Sequence, residues 1–136
     1  MITMPQSQTA KRGDVALVLF PNSDLRTAKP RPALVVQADH LDTGLPQLIV
    51  AMITSKMFRA GHPSRVAVLL STPDGQQSGL LADSVVMTDN LATVAEVALD
   101  RVIGRLPMEQ VAGAPRHTLG LEHPPGNAPA LSSSEP

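Results

Sequence analysis

The chain has no cysteine, no tryptophan and no tyrosine, and Phe20 and Phe58 are its only aromatic side chains. Without thiols there is no disulfide framework, no thiolate nucleophile and no Cys-based zinc site. With so few rings, the core must be built from Val, Leu, Ile, Met and Ala. Long apolar runs are missing as well. Residues 48–53 form a run of six, against roughly 20 for a bilayer span. Positions 1–10 hold no apolar stretch of the secretory kind, so the expected location is cytoplasmic. Nor is there an excess of charge of one sign. The formal net charge is −1 with 17% charged residues, which argues against indiscriminate binding to duplex nucleic acid.

What is present suits one domain. At 136 residues and 43% hydrophobic, the chain can bury a real core but not two. Segments 14–20, 32–38, 47–54, 65–70, 80–88, 91–94 and 101–106 read as strands, rich in β-branched and aliphatic residues between Gly, Pro and Asn punctuation. Segment 14–20 is apolar on both faces, and 47–54 is nearly continuous in apolar residues, which predicts a central strand. Segments 55–64 and 71–79 read as loop and turn, and 95–100 as a short helical turn. A helix is expected from Pro107, since proline suits the first helical position, with a kink or stop near Ala114. Six or seven short strands predict a compact all-β barrel, or a barrel with a helix appended. Residues 1–10 are expected to be a flexible N-terminus and 11–121 the folded domain. Residues 122–136 hold four prolines and three consecutive serines, and are expected to be a disordered tail.

Charge is unevenly distributed. No acid occurs from residue 44 to 72, a segment that carries Lys56, Arg59, His62 and Arg65. The segment could present a local positive field, or be a solvated loop. Two sites bear on chemistry. In Lys29-Pro30-Arg31-Pro32, Pro30 has a locked φ and Pro32 pushes Arg31 into extended backbone, so the guanidinium sits on a stiff mount. Such a planar, permanent cation suits phosphate, although a surface arginine at a strand start is the plainer reading. Ile53-Thr54-Ser55 places two hydroxyls at the end of the apolar strand, able to bind a phosphate oxygen or simply to serve a turn. His40, His62, His117 and His123 lack metal spacing, so neither metal nor cofactor is expected.

In order, Arg12-Gly13-Asp14-Val15, Arg31-Pro32-Ala33-Leu34-Val35-Val36, Ile49-Val50-Ala51-Met52-Ile53-Thr54-Ser55 and Asp83-Ser84-Val85-Val86-Met87 resemble the MazF/PemK toxins. These are the toxin halves of bacterial toxin–antitoxin pairs. The likeness runs from about Lys11 to Leu121, and Arg101 to Leu106 is similar to the family's last strand before its helix. The resemblance implies a mainly β fold with a C-terminal helix, in a small SH3-like barrel. It also implies a homodimer, a cognate antitoxin, and metal-independent cleavage of single-stranded RNA by attack of the RNA's own 2′-OH. On that basis Arg31 is the catalytic arginine, Thr54 the second active-site residue, and Asp89 an acid used by some members. Ser55, Lys56, Arg59, His62 and Arg26 are expected to face RNA. Phe58, His62 or an arginine plane would supply any stacking. The loop Asn22-Ser23-Asp24-Leu25-Arg26-Thr27 departs from the family's usual Glu-Gln loop. Two rival functions follow from the same resemblance: a non-nuclease toxin that binds DNA gyrase, and an inactive RNA-binding relative.

Overall fold

In the computed structural model, residues 10–21, 24 and 26–121 are described. The expectations for 1–9 and for the tail fall outside them, whereas Ala10 is buried beside Val18 and Leu48. Six strands form one antiparallel sheet: β1 Asp14–Pro21, β2 Ala28–Val35, β3 Gln47–Thr54, β4 Arg65–Val68, β5 Ser84–Ala95 and β6 Leu99–Arg105. Their order is β4-β5-β3-β2-β1-β6. β3 is interior, as its unbroken apolar run requires, and both of its faces are covered. Ala51 and Ile53 face a core with Val15, Leu34, Val86 and Val111. Leu48 and Val50 face a second core with Val18, Ala33 and Val35.

The expected barrel is not closed by hydrogen bonds, because β4 and β6 remain edges. The chain between them does the covering. Its backbone at Gln77 and Ser78 runs so close to Gly104 of β6 that a β-carbon there has no room. Residues 71–79, read as a turn, contain a short helix, α1 Pro73–Gln77, capped by the Thr72 hydroxyl, which accepts the Gly75 amide. The two strands expected at 80–88 and 91–94 are one strand, β5. It is interrupted opposite β3, where Ala51 pairs with Leu91 but Met52 pairs with Met87. Residues 88–90 are thus extra relative to β3 and make no pair with it. The expected C-terminal helix is two short pieces, α2 Met108–Val111 and α3 Gly113–Thr118, that break at Ala112. Glu96–Ala98 forms the expected turn as a 3₁₀ helix.

Candidate active site

Proline chemistry shapes the gap between β2 and β3. In β2 the even-numbered amides point toward β3, since the Val36 N–H donates to the Ile49 carbonyl at 3.1 Å. Pairing continues through Val35↔Val50, Leu34↔Ala51 and Ala33↔Met52, then stops. The next amide on that side would belong to Pro32, and the one after to Pro30. Neither residue has an N–H, so two successive ladder donors to β3 are missing. On the other side β2 stays zipped to β1, with Val18 opposite Arg31. Pairing between β2 and β3 therefore ends at Ala33↔Met52, while each strand stays paired to its outer neighbour. Continuing the β2–β3 register by two residues sets Arg31 opposite Thr54, on the face that carries Val18 and Ala33.

Arg31 is exposed and Thr54 is half-buried. Among the described residues the Arg31 guanidinium has no ion-pair partner. Thr54 is anchored on its far side by pairing with Val85, and its Oγ1 accepts the Lys56 N–H at 3.2 Å. That bond is the turn role foreseen for hydroxyls at this strand end. It uses a lone pair and leaves the hydroxyl proton free to donate. The two residues therefore bring a permanent cation and a neutral donor to one face of the sheet, a set fitted to a phosphoryl oxygen.

The loop after β3 adds more charge. Met57–Arg59 is a 3₁₀ turn. Ser55, Lys56, Phe58 and His62 are exposed, and the Arg59 guanidinium lies 5.7 Å from the Phe58 ring centroid. Arg59 Nη1 also reaches the Met87 sulfur at 3.7 Å. Met87 pairs with both Met52 and Arg65. Side chains alternate along strands, so Arg65, Met87, Met52, Thr54 and Arg31 share one face. The positive segment is partly neutralised from outside: Arg65 donates to both oxygens of Asp89, at 2.8 and 3.3 Å. That guanidinium holds the Asp89 carboxyl below the usual carboxylate range, and the carboxylate in turn makes Arg65 harder to deprotonate.

The first loop behaves differently. The Asp24 carboxylate accepts the Arg26 and Thr27 amides at 2.8 and 3.1 Å, which lowers its affinity for a proton. This turn leads directly into β2 and leaves the Arg26 side chain exposed. Sequence reasoning overlooked a hydroxyl network under the cationic loop. Buried Thr88 donates to the Ser64 carbonyl at 2.7 Å, and Thr118 of α3 meets Ser64 Oγ at 2.6 Å and Thr88 Oγ1 at 2.9 Å. Nothing in the sequence announces it, because it depends on the extra residues 88–90 of β5. His62 Nδ1 accepts the Ser64 amide at 3.0 Å, a local turn bond. Among the described residues no group of three or more His, Asp or Glu side chains is placed to share a metal ion.

Comparison with known proteins matches this architecture. Residues 11–115 match the family described as PemK-like, MazF-like toxin of type II toxin–antitoxin system. Endoribonuclease EndoA of Bacillus subtilis (strain 168) is 31% identical over 102 residues, covering 74% of this chain and 84% of the relative. The solved structure of the Mycobacterium tuberculosis toxin MazF-mt6 is 26% identical, with a TM-score of 0.62 over 81% of this chain and 99% of that one. A MazE–MazF structure from Deinococcus radiodurans, 17% identical, shares the fold with a TM-score of 0.63 over 85% of this chain and 100% of the other. With its Arg-Pro strand next to a strand that ends in Ile-Thr-Ser, the chain belongs to the PemK-like, MazF-like toxins of type II toxin–antitoxin systems.

Proposed function

We propose that the protein is the toxin of a toxin–antitoxin pair and cuts single-stranded RNA at the cleft between Arg31 and Thr54. The ribose 2′-OH attacks the adjacent phosphorus and the bond to the 5′-oxygen breaks. The proton lost by the 2′-OH is balanced by the one gained by the 5′-oxygen, and the products are a 2′,3′-cyclic phosphate and a 5′-hydroxyl. Arg31 neutralises charge that builds on the phosphoryl oxygens, and Thr54 donates to one of them. Lys56, Arg59, His62, Ser55 and Arg26 line the approach of the strand. The observation that carries this reading is that the ladder stops beside Pro30 and Pro32, with Arg31, which has no ion-pair partner among the described residues, in register with a strand-end hydroxyl.

The named relatives support it. EndoA is an endoribonuclease, and one structural neighbour is a mycobacterial endoribonuclease in complex with its cognate antitoxin. By analogy this chain has an antitoxin of its own and works as a homodimer in the cytoplasm. No described helix is long and apolar enough to cross a membrane. The test is incubation of the pure protein with single-stranded RNA in the presence of a chelator. Fragments ending in 2′,3′-cyclic phosphate, absent with Arg31→Ala, are expected. Intact RNA together with inhibited DNA supercoiling would favour the gyrase-binding alternative.

A further inference from the structure

We propose that Asp89 and Arg65 form a positioning pair that sets the 3₁₀ turn so that Arg59 holds a phosphate of the RNA beside the cleft, and that Asp89 itself exchanges no proton with substrate. This inference rests on the RNA-cleaving reading above and assigns Asp89 a role other than the acid implied by resemblance.

Three nitrogens of one guanidinium are committed. Arg65 Nε and Nη2 go to the two oxygens of Asp89, and Nη1 donates to the Arg59 carbonyl at 3.2 Å. A planar fork used in this way fixes the turn relative to β5. The turn is closed internally by Arg59 N–H to the Lys56 carbonyl and Ala60 N–H to the Met57 carbonyl, both 3.0 Å. With its own carbonyl held, Arg59 extends its side chain over Met87. That position is one row along the sheet from Val85, the partner of Thr54. Asp89 is itself mounted rigidly, because its neighbour Thr88 is wholly buried and bound to Ser64 through both its amide and its hydroxyl. Arg59 keeps no carboxylate partner among the described residues, so its charge is available to a ligand. Both Asp89 oxygens already accept a guanidinium N–H. The guanidinium also holds the Asp89 carboxyl below the usual carboxylate range. The sign is that of a depressed carboxylate: the pair is intact above the unfolded value and is lost only as pH falls through the folded one.

The experiment uses the full chain with Asp89→Ala, Arg59→Gln, the double variant, Asp89→Glu and Arg65→Lys. The first readout is binding of a 2′-O-methyl oligoribonucleotide, which offers no free 2′-OH and stays whole. The second is single-turnover cleavage of the unmodified oligomer. Loss of one single-strand phosphate contact lowers the salt slope by about 0.7, or about fivefold in affinity at roughly 0.1 M salt. Asp89→Ala, Arg59→Gln and Arg65→Lys are each expected to show that loss. The double variant is expected to be no weaker than either single one, and Asp89→Glu to recover. The saturated cleavage rate is expected to stay within about threefold and to keep its pH profile between about pH 5 and 9.

The opposite sign refutes the proposal. If the pair only neutralises charge, Asp89→Ala frees Arg65 as an extra cation and binding tightens. Unchanged binding, or additive losses in the double variant, also overturns it. A fall of about 10² or more in the saturated rate with loss of a pH limb makes Asp89 a proton-transfer group instead. Should Asp89→Ala fail to fold, Arg65→Lys and Arg59→Gln decide the matter alone. Full cleavage by Arg31→Ala would sink the underlying reading while leaving the binding measurements interpretable.

Discussion

Arg31→Ala is the perturbation with the cleanest separation between folding and chemistry. The side chain is exposed and has no ion-pair partner among the described residues. Its backbone is held by pairing with Val18 and by the flanking prolines, none of which the substitution touches. Stability should therefore change by no more than about 0.5 kcal/mol. The rate should not be spared. Removal of one preorganised donor aimed at developing charge costs about 10²–10³, equivalent to roughly 2.7–4 kcal/mol of barrier. Arg31→Lys keeps the charge but forfeits one of two parallel hydrogen bonds, so a loss of about tenfold is expected, near 1.4 kcal/mol. The ordering wild type, lysine, alanine should appear in single-turnover cleavage of an end-labelled single-stranded RNA with excess protein and chelator. Melting curves taken alongside should superimpose. A folded Arg31→Ala protein that cleaves within about threefold of wild type would refute the assignment, because nothing else on the face replaces a guanidinium at that register.

Three other outcomes are expected. Pro32→Ala restores an amide facing the Ile53 carbonyl; the new bond, about 0.5–1.5 kcal/mol, nearly offsets the lost restriction of the unfolded chain. Stability should barely move while cleavage slows as the cleft zips, with amide exchange at position 32 reporting protection. Phe58 is 80% exposed, so Phe58→Ala should leave the melting temperature unchanged and weaken RNA binding by at least about 1 kcal/mol, or fivefold, if a base stacks on it. Buried Asp14 accepts the Lys11 amide at 2.8 Å and Arg105 Nη1 at 2.9 Å, tying the start of β1 to the end of β6. Asp14→Ala should cost about 1–3 kcal/mol, lowering the melting temperature by roughly 4–12 °C at about 4 °C per kcal/mol.

Where the sequence was informative, one physical cause acted alone. The apolar run of β3 demanded cover on both faces and received it, and its bounds at Gln47 and Thr54 follow from the polar residues that flank it. The stiffness of Arg31 was readable because proline chemistry is local. The start of β2 was not, since Ala28 to Arg31 pair only with β1 and nothing in their composition signals a strand. The interruption of β5 was equally hidden. Thr88, Asp89 and Asn90 look like a turn between two strands, and only the partner strand shows that one strand continues through three extra residues. Asp89 shows the same limit: family likeness picked out its carboxylate, whereas its pairing with Arg65, 24 positions away, is visible only in the fold. The cationic stretch from 44 to 72 was visible as composition, whereas its partial compensation by an acid from β5 depends on tertiary pairing. The open seam between β4 and β6 was also out of reach, because it rests on a close approach between Ser78 and Gly104.

A proline deletes a donor without deleting the acceptor that faces it. At residue 32 this leaves the Ile53 carbonyl beside an opening, where a strand neighbour would otherwise sit. Main-chain oxygens are common to all amino acids, so no side-chain exchange at position 53 removes that acceptor. The neighbouring loops can thus drift in composition, and the targets they favour can change, while the polar lip of the groove persists for as long as the imino acid upstream does.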